Sequence, residues 1–90
     1  MSDGDDVRLS RAASRALAEG LPTGVATAIW EFLIGALAEN PRRLGKPLSG
    51  ELACHYAARR GAYRVVYSIT EGPKVISVVR IDHRGSVYHR

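Results

Sequence analysis

The hydrophobic pattern of this chain changes period partway along, and that change constrains the fold more than any other feature. Between Pro22 and Asn40, the residues Val25, Ala28, Ile29, Phe32, Leu33, Ala36 and Leu37 recur every three or four positions, the spacing of one buried helix face. Further on, Tyr63, Val65, Tyr67 and Ile69 alternate with Arg64, Val66 and Ser68, the spacing of a strand with two unlike faces. Ninety residues hold one hydrophobic core, so both sets must bury their apolar sides against each other. The expectation is one α+β domain spanning 1–90, with two N-terminal helices on one face of a small, mainly antiparallel, twisted sheet.

Boundary residues refine this layout. Val7-Arg8-Leu9 alternates for long enough to make a short edge strand. Ser10 is placed to cap a first helix over Arg11 to Glu19, closed by Gly20. Pro22 fits the first position of the second helix, and Asn40-Pro41 stops it. Trp30 and Ile34 fall off the main stripe and form a second apolar edge, expected to pack on the first helix. Arg42 to Gly50, with one proline and two glycines, reads as an extended connector. Strands are then expected over Glu51 to Arg59, Ala62 to Ile69 and Val75 to Ile81, with turns at Arg59-Arg60-Gly61 and Glu71-Gly72-Pro73. The β-branched run Val75 to Ile81 reads as a strand covered on both faces. A last short strand is expected near Val87-Tyr88.

Charge divides the chain. Residues 1–40 carry three arginines against six acids, a net −3, whereas residues 41–90 carry ten Lys and Arg against three acids, a net +7. A half so basic points to a polyanionic partner. The single Cys54 cannot close an intramolecular disulfide, and one thiol with three scattered histidines has no metal-ligand spacing. No cofactor, metal or oxidising compartment is expected, and no apolar run approaches the ~20 residues of a membrane span. The acidic start Met1 to Asp6 is unlike a signal peptide and is expected to be disordered, leaving the cytoplasm as the expected location.

No nucleophile with a neighbouring base and no phosphate-cradling glycine loop can be read from the spacing. What remains is a set of cations and phenols on the strands: His55, Arg59, Arg60, Arg64, Arg80, His83, Arg84 and Tyr88. Strand parity puts His55, Ala57 and Arg59 on one side and sets Arg64 opposite Tyr63, Val65 and Tyr67. If those apolar residues meet the helices, Arg64 projects from the open face. A lone arginine is ordinarily a solvated surface charge, and Arg60 and Arg80 each read that way. Arg64 differs because it interrupts an apolar strand, where a guanidinium is costly unless paired or facing an open groove.

Three segments together carry a family resemblance. Lys46-Pro47-Leu48-Ser49-Gly50-Glu51-Leu52, then Tyr56-Ala57-Ala58-Arg59-Arg60-Gly61-Ala62-Tyr63-Arg64-Val65-Val66-Tyr67, then Ile81-Asp82-His83-Arg84-Gly85-Ser86-Val87-Tyr88 resemble the RelE/ParE superfamily of bacterial toxins, on the RelE side. The resemblance implies a type II toxin that enters the ribosomal A site and cuts mRNA without a metal, by attack of a ribose 2′-hydroxyl on the adjacent phosphate. It implies Arg64 as transition-state stabiliser, Arg84 as a further charge at the leaving group, and Tyr88 as a base-stacking ring. Arginine is a poor acid, so His83 is the better proton carrier on chemical grounds. Lys46, Arg59 and Arg60 would grip phosphates, and His55 stands where well-known members have strand lysines. The implied partners are the ribosome, mRNA and a RelB-like antitoxin in a hetero-oligomer, an acidic segment of which would cover the basic half. Two other readings stay open: a ParE-like inhibitor of DNA gyrase, and a decayed toxin that only binds its antitoxin. Ala57, and Cys54 at a position where related sequences often have glycine, speak for the last.

Overall fold

Helices precede the main strands, as the period change predicts, with one short strand ahead of them. The computed structural model describes residues 6–50, 53–72 and 74–83. Strand β1 (Asp6–Leu9) leads into α1 (Arg11–Arg15), which runs on through a π-helical turn (Ala16–Gly20). Next comes α2 (Thr23–Phe32), extended by a second π-helical turn (Leu33–Leu37), then the one-turn helix α3 (Pro41–Leu44) and the two-residue strand β2 (Lys46–Pro47). Strands β3 (His55–Arg60), β4 (Tyr63–Thr70) and β5 (Val75–His83) complete the order. The sheet runs β1-β5-β4-β3-β2, with β1 parallel to β5 and every other pair antiparallel. Among the described residues no helix is long and apolar enough to cross a membrane.

The core lies between the helices and one face of this sheet. Ile29, Leu33 and Leu37 meet Val65, Tyr67, Ile76, Val78 and Ile81 in one buried cluster, with Tyr63 and Ile69 packed at its border. The odd-numbered side of β4 is therefore the helix side, as its alternation predicts. Ser10 ties the layers together. Its hydroxyl accepts from Ala13 N (3.0 Å), capping α1, and donates to Val79 O (2.8 Å), while its own amide donates to Val78 O (2.9 Å). One residue thus satisfies an orphan amide and pins the start of α1 to β5.

Several expectations need correction. Asp6, expected to be disordered, opens β1 opposite Val75, whereas residues 1–5 lie outside the described part. Pro22 is the N-cap of α2 with extended ψ of 150°, one position before the helix. In the helix stripe Ala36 is exposed and Ala38 is buried, because the π-helical turn is wider and moves the buried positions later. Ile34 is 49% exposed and Trp30 40%. Trp30 borders a shallow groove with Leu17 and Ala18, but the antiparallel α1 begins too late to reach Ile34, one turn further along. Arg42–Gly50 is no free connector: α3 and β2 form there, and β2 pairs with β3. The Tyr67 hydroxyl donates to Pro41 O and holds that segment down.

The strand boundaries shift as well. β3 begins at His55 and includes Arg60, and the hairpin closes on Gly61-Ala62, where Gly61 has φ of +63°. β4 starts at Tyr63 and continues to Thr70. β5 continues to His83, and it is covered by helices on one face only. Ile76, Val78 and Ile81 are buried, and a bulge shifts the register so that Tyr67 opposes Val78 while Val66 opposes Arg80. Val79 is the extra residue, and its insertion changes which parity points inward. Pro73 of the second turn and the strand expected near Val87-Tyr88 lie outside the described residues.

Candidate nucleic-acid interface

The sheet face away from the helices is assembled from three cross-strand rows. One runs Arg59, Arg64, Asp82; the next Lys46, Ala57, Val66, Arg80; the third His55, Ser68, Ser77, Arg8. Facing residues in such rows stand close enough to act as one surface. Five Lys and Arg residues and a histidine therefore gather in three rows in which Asp82 is the single acid. Lys46, Arg59 and Arg80 are exposed; His55 and Arg64 are half-buried.

Arg64 occupies the middle strand. Its Nε is inaccessible to solvent and has no hydrogen-bond partner, as is also true of Asp82 Oδ2 on the next strand. An unpartnered buried donor costs free energy until a ligand supplies an acceptor. Asp82 Oδ2 turns toward Arg80, lying 3.1 Å from its Nε as an ion pair without hydrogen-bond alignment. Strand register sets Arg64 on the open side of the sheet with its Nε out of contact with solvent. His55 Nδ1 stands 3.5 Å from Ala53 O at the start of β3. Just before it, Cys54 takes φ of 78°, a left-handed conformation that glycine adopts without strain. A glycine at this position would meet the backbone requirement of the turn without strain.

Not all the candidates share this face. Arg60 and His83 both pair with Tyr63, on the helix side. The Arg60 guanidinium lies 6.0 Å from the centre of the Phe32 ring, and His83 meets Tyr63 edge-on at 5.0 Å and 83°. The structure therefore joins Arg64 with Arg59, Lys46 and His55, and sets Arg60 and His83 on the opposite face. Arg84 and Tyr88 lie outside the described residues. Sequence reasoning missed Arg8 and Asp82 and read Arg80 as a solvated surface charge rather than as part of this face. Only the parallel pairing of β1 and the bulge at Val79 bring them there, and neither leaves a local signal.

Comparison with known proteins identifies the family and the fold. The family model described as the ParE toxin of type II toxin–antitoxin systems matches residues 7–88. Toxin RelG of Mycobacterium tuberculosis is 42% identical over 93% of this chain and 95% of its own length. Toxin RelE of the same organism is 43% identical over 91% of this chain and 84% of its own. Among solved structures, the RelBE2 toxin–antitoxin complex of Mycobacterium tuberculosis superposes with a TM-score of 0.82 at 42% identity, covering 88% of this chain and 96% of that one. The archaeal RelE–RelB complex of Pyrococcus horikoshii gives 0.69 at 28% identity, covering 92% and 98%. The family match, the two relatives and the shared fold converge: this chain belongs to the RelE/ParE superfamily and is a toxin of the type II toxin–antitoxin class.

Proposed function

We propose that the chain is a ribosome-dependent endoribonuclease acting on mRNA in the A site, in the bacterial cytoplasm, and that a RelB-like antitoxin silences it by covering the open face. The observation that carries this reading is the row Arg59–Arg64, two arginines paired across β3 and β4, one with a buried donor lacking an acceptor. A scissile phosphodiester supplies acceptors of the right charge and shape.

In the proposed reaction the 2′-oxygen forms a bond to phosphorus while the bond to the 5′-oxygen breaks, leaving a 2′,3′-cyclic phosphate and a 5′-hydroxyl. Arg64 stabilises the crowded phosphorane, and Arg59 and Lys46 hold the flanking backbone. His55, on the same face, takes the proton of the 2′-hydroxyl. The 5′-oxygen receives its proton from the end of β5. His83 is the better donor there on chemical grounds. Arg84 adds charge at the leaving group and Tyr88 stacks on a base. No step of this scheme requires a metal.

Primer extension on a reporter mRNA in a bacterial translation extract tests this reading, with the Arg64→Ala variant and ribosome-free mRNA alongside. Cuts that require both ribosomes and the wild-type chain are expected. Intact mRNA in an active extract would overturn the reading, and a gyrase supercoiling assay would then test the ParE-like alternative.

A further inference from the structure

We propose that Arg80 is a further phosphate-binding residue of the open face and that Asp82 is its positioning residue; this rests on the RNA-cleaving reading above. In β5 the buried positions Ile76 and Val78 would, in an unbroken strand, place residue 80 toward the helices. The bulge at Val79 reverses the parity, so that Ile81 enters the core and Arg80 opposes Val66 on the open side. Bulges beside functional sites re-aim side chains in this way. Ser10 holds this one in place through Val78 O and Val79 O.

Asp82 then orients what the bulge has turned outward. Its carboxylate oxygen, inaccessible to solvent, lies 3.1 Å from Arg80 Nε, while 57% of the Arg80 side chain is exposed. A guanidinium held through Nε keeps both terminal amino groups for two phosphate oxygens. Arg64 is the diagonal neighbour of Arg80, at the ~7–8 Å typical of such positions, so the two forks can flank one backbone. Beyond the end of β1 an open cleft of about 550 Å³ is lined by Ala12, Arg15, Glu19, Arg80 and Asp82.

The test is equilibrium binding of a labelled, fully 2′-O-methylated single-stranded RNA, which cannot be cut, across a salt series. Cooperative thermal unfolding of each variant confirms its fold. Arg80→Ala is expected to weaken binding roughly tenfold and lower the salt slope by about one, with Arg80→Lys restoring the slope and only part of the affinity. Arg11→Ala, removing an exposed cation of α1, should change affinity less than about twofold. Asp82→Asn separates positioning from simple charge: removing an acid would tighten RNA binding by electrostatics alone, whereas a positioning role predicts weaker binding at an unchanged slope. Arg80→Ala behaving like Arg11→Ala, or Asp82→Asn binding more tightly, overturns the proposal even where the wild-type chain cuts mRNA on ribosomes. Failure of the wild-type chain to bind this RNA overturns it as well, and the primer-extension result then decides separately on the reading beneath it.

Discussion

Val65 and Arg64 are neighbours on β4, yet they meet opposite environments. Val65 is wholly buried among Ile29, Leu33 and Ile81, whereas Arg64 shares its side of the sheet with Arg59, Arg80 and Asp82. On the helix face, stability comes from apolar area removed from water and from close packing, and the positions are interlocked. On the open face the same backbone concentrates like charges and leaves the Arg64 Nε unpartnered, which favours a bound polyanion over the folded chain alone. The two faces divide folding from binding, and substitutions on each should therefore fail in different assays.

The largest effects test that division directly. Ile76→Ala, on the helix face, is expected to cost about 2–5 kcal/mol in denaturant unfolding. Arg64→Ala is expected to lower ribosome-dependent cleavage about 100-fold or more while changing stability by less than about 0.5 kcal/mol. Loss of cooperative unfolding in the arginine variant would show that both faces are structural.

Gly45→Ala comes next, at about 1–3 kcal/mol. Its new methyl would overlap the Tyr67 hydroxyl and stand 2.9 Å from Tyr67 Cζ and 3.2 Å from Ala57 O. Because Tyr67 is fully buried, neither side can yield without disturbing the core, and thermal unfolding should report the change.

Tyr67→Phe is smaller, about 1–2 kcal/mol, since it strips the Pro41 carbonyl of its donor. It carries a pH signature as well. Burial, reinforced by the neighbouring Tyr56, pushes the Tyr67 hydroxyl from 10.0 up to about 12. Between those values the unfolded chain gives up this proton and the folded chain retains it. The stabilisation is complete below pH 10 and is lost toward pH 12, by at most about 1.4 kcal/mol per unit. The phenylalanine variant should show a shallower decline over that interval in parallel melts.

The smallest expected effect is a gain. Cys54→Gly relieves a left-handed backbone at roughly 1 kcal/mol of strain, offset in part by the greater freedom of glycine in the unfolded chain, for a net of about 0.5 kcal/mol. Unchanged cleavage in that variant would place the turn outside the chemistry, and a change would tie it to His55.

Much of this layout was legible in the residues themselves. The period change separates helices from strands, Ser10 reads as a cap, and the alternation of β4 assigns Arg64 to the face away from Val65 and Tyr67. Each of these is a local consequence of backbone geometry, which repeats every 3.6 or every two residues whatever the rest of the chain does. The readings that failed concern partners distant in sequence. Lys46-Pro47 becomes a strand because β3 offers it hydrogen bonds, and Arg8 joins the basic face because β1 lies parallel to β5. His83 follows Asp82 directly in sequence, but the ladder sets it against Tyr63, on the side away from Arg64.

The bulge at Val79 makes the distinction sharpest. From the sequence, Val75 to Ile81 is a nearly unbroken β-branched run that reads as covered on both faces. Only pairing with β4, the demands of the core on Ile81 and the hydrogen bond from Ser10 to Val79 O select the residue left unpaired. The sequence by itself determined which strand face is apolar and how basic the other could be. The tertiary structure decided which cations share that other face, because register is set by contacts between segments far apart in the chain.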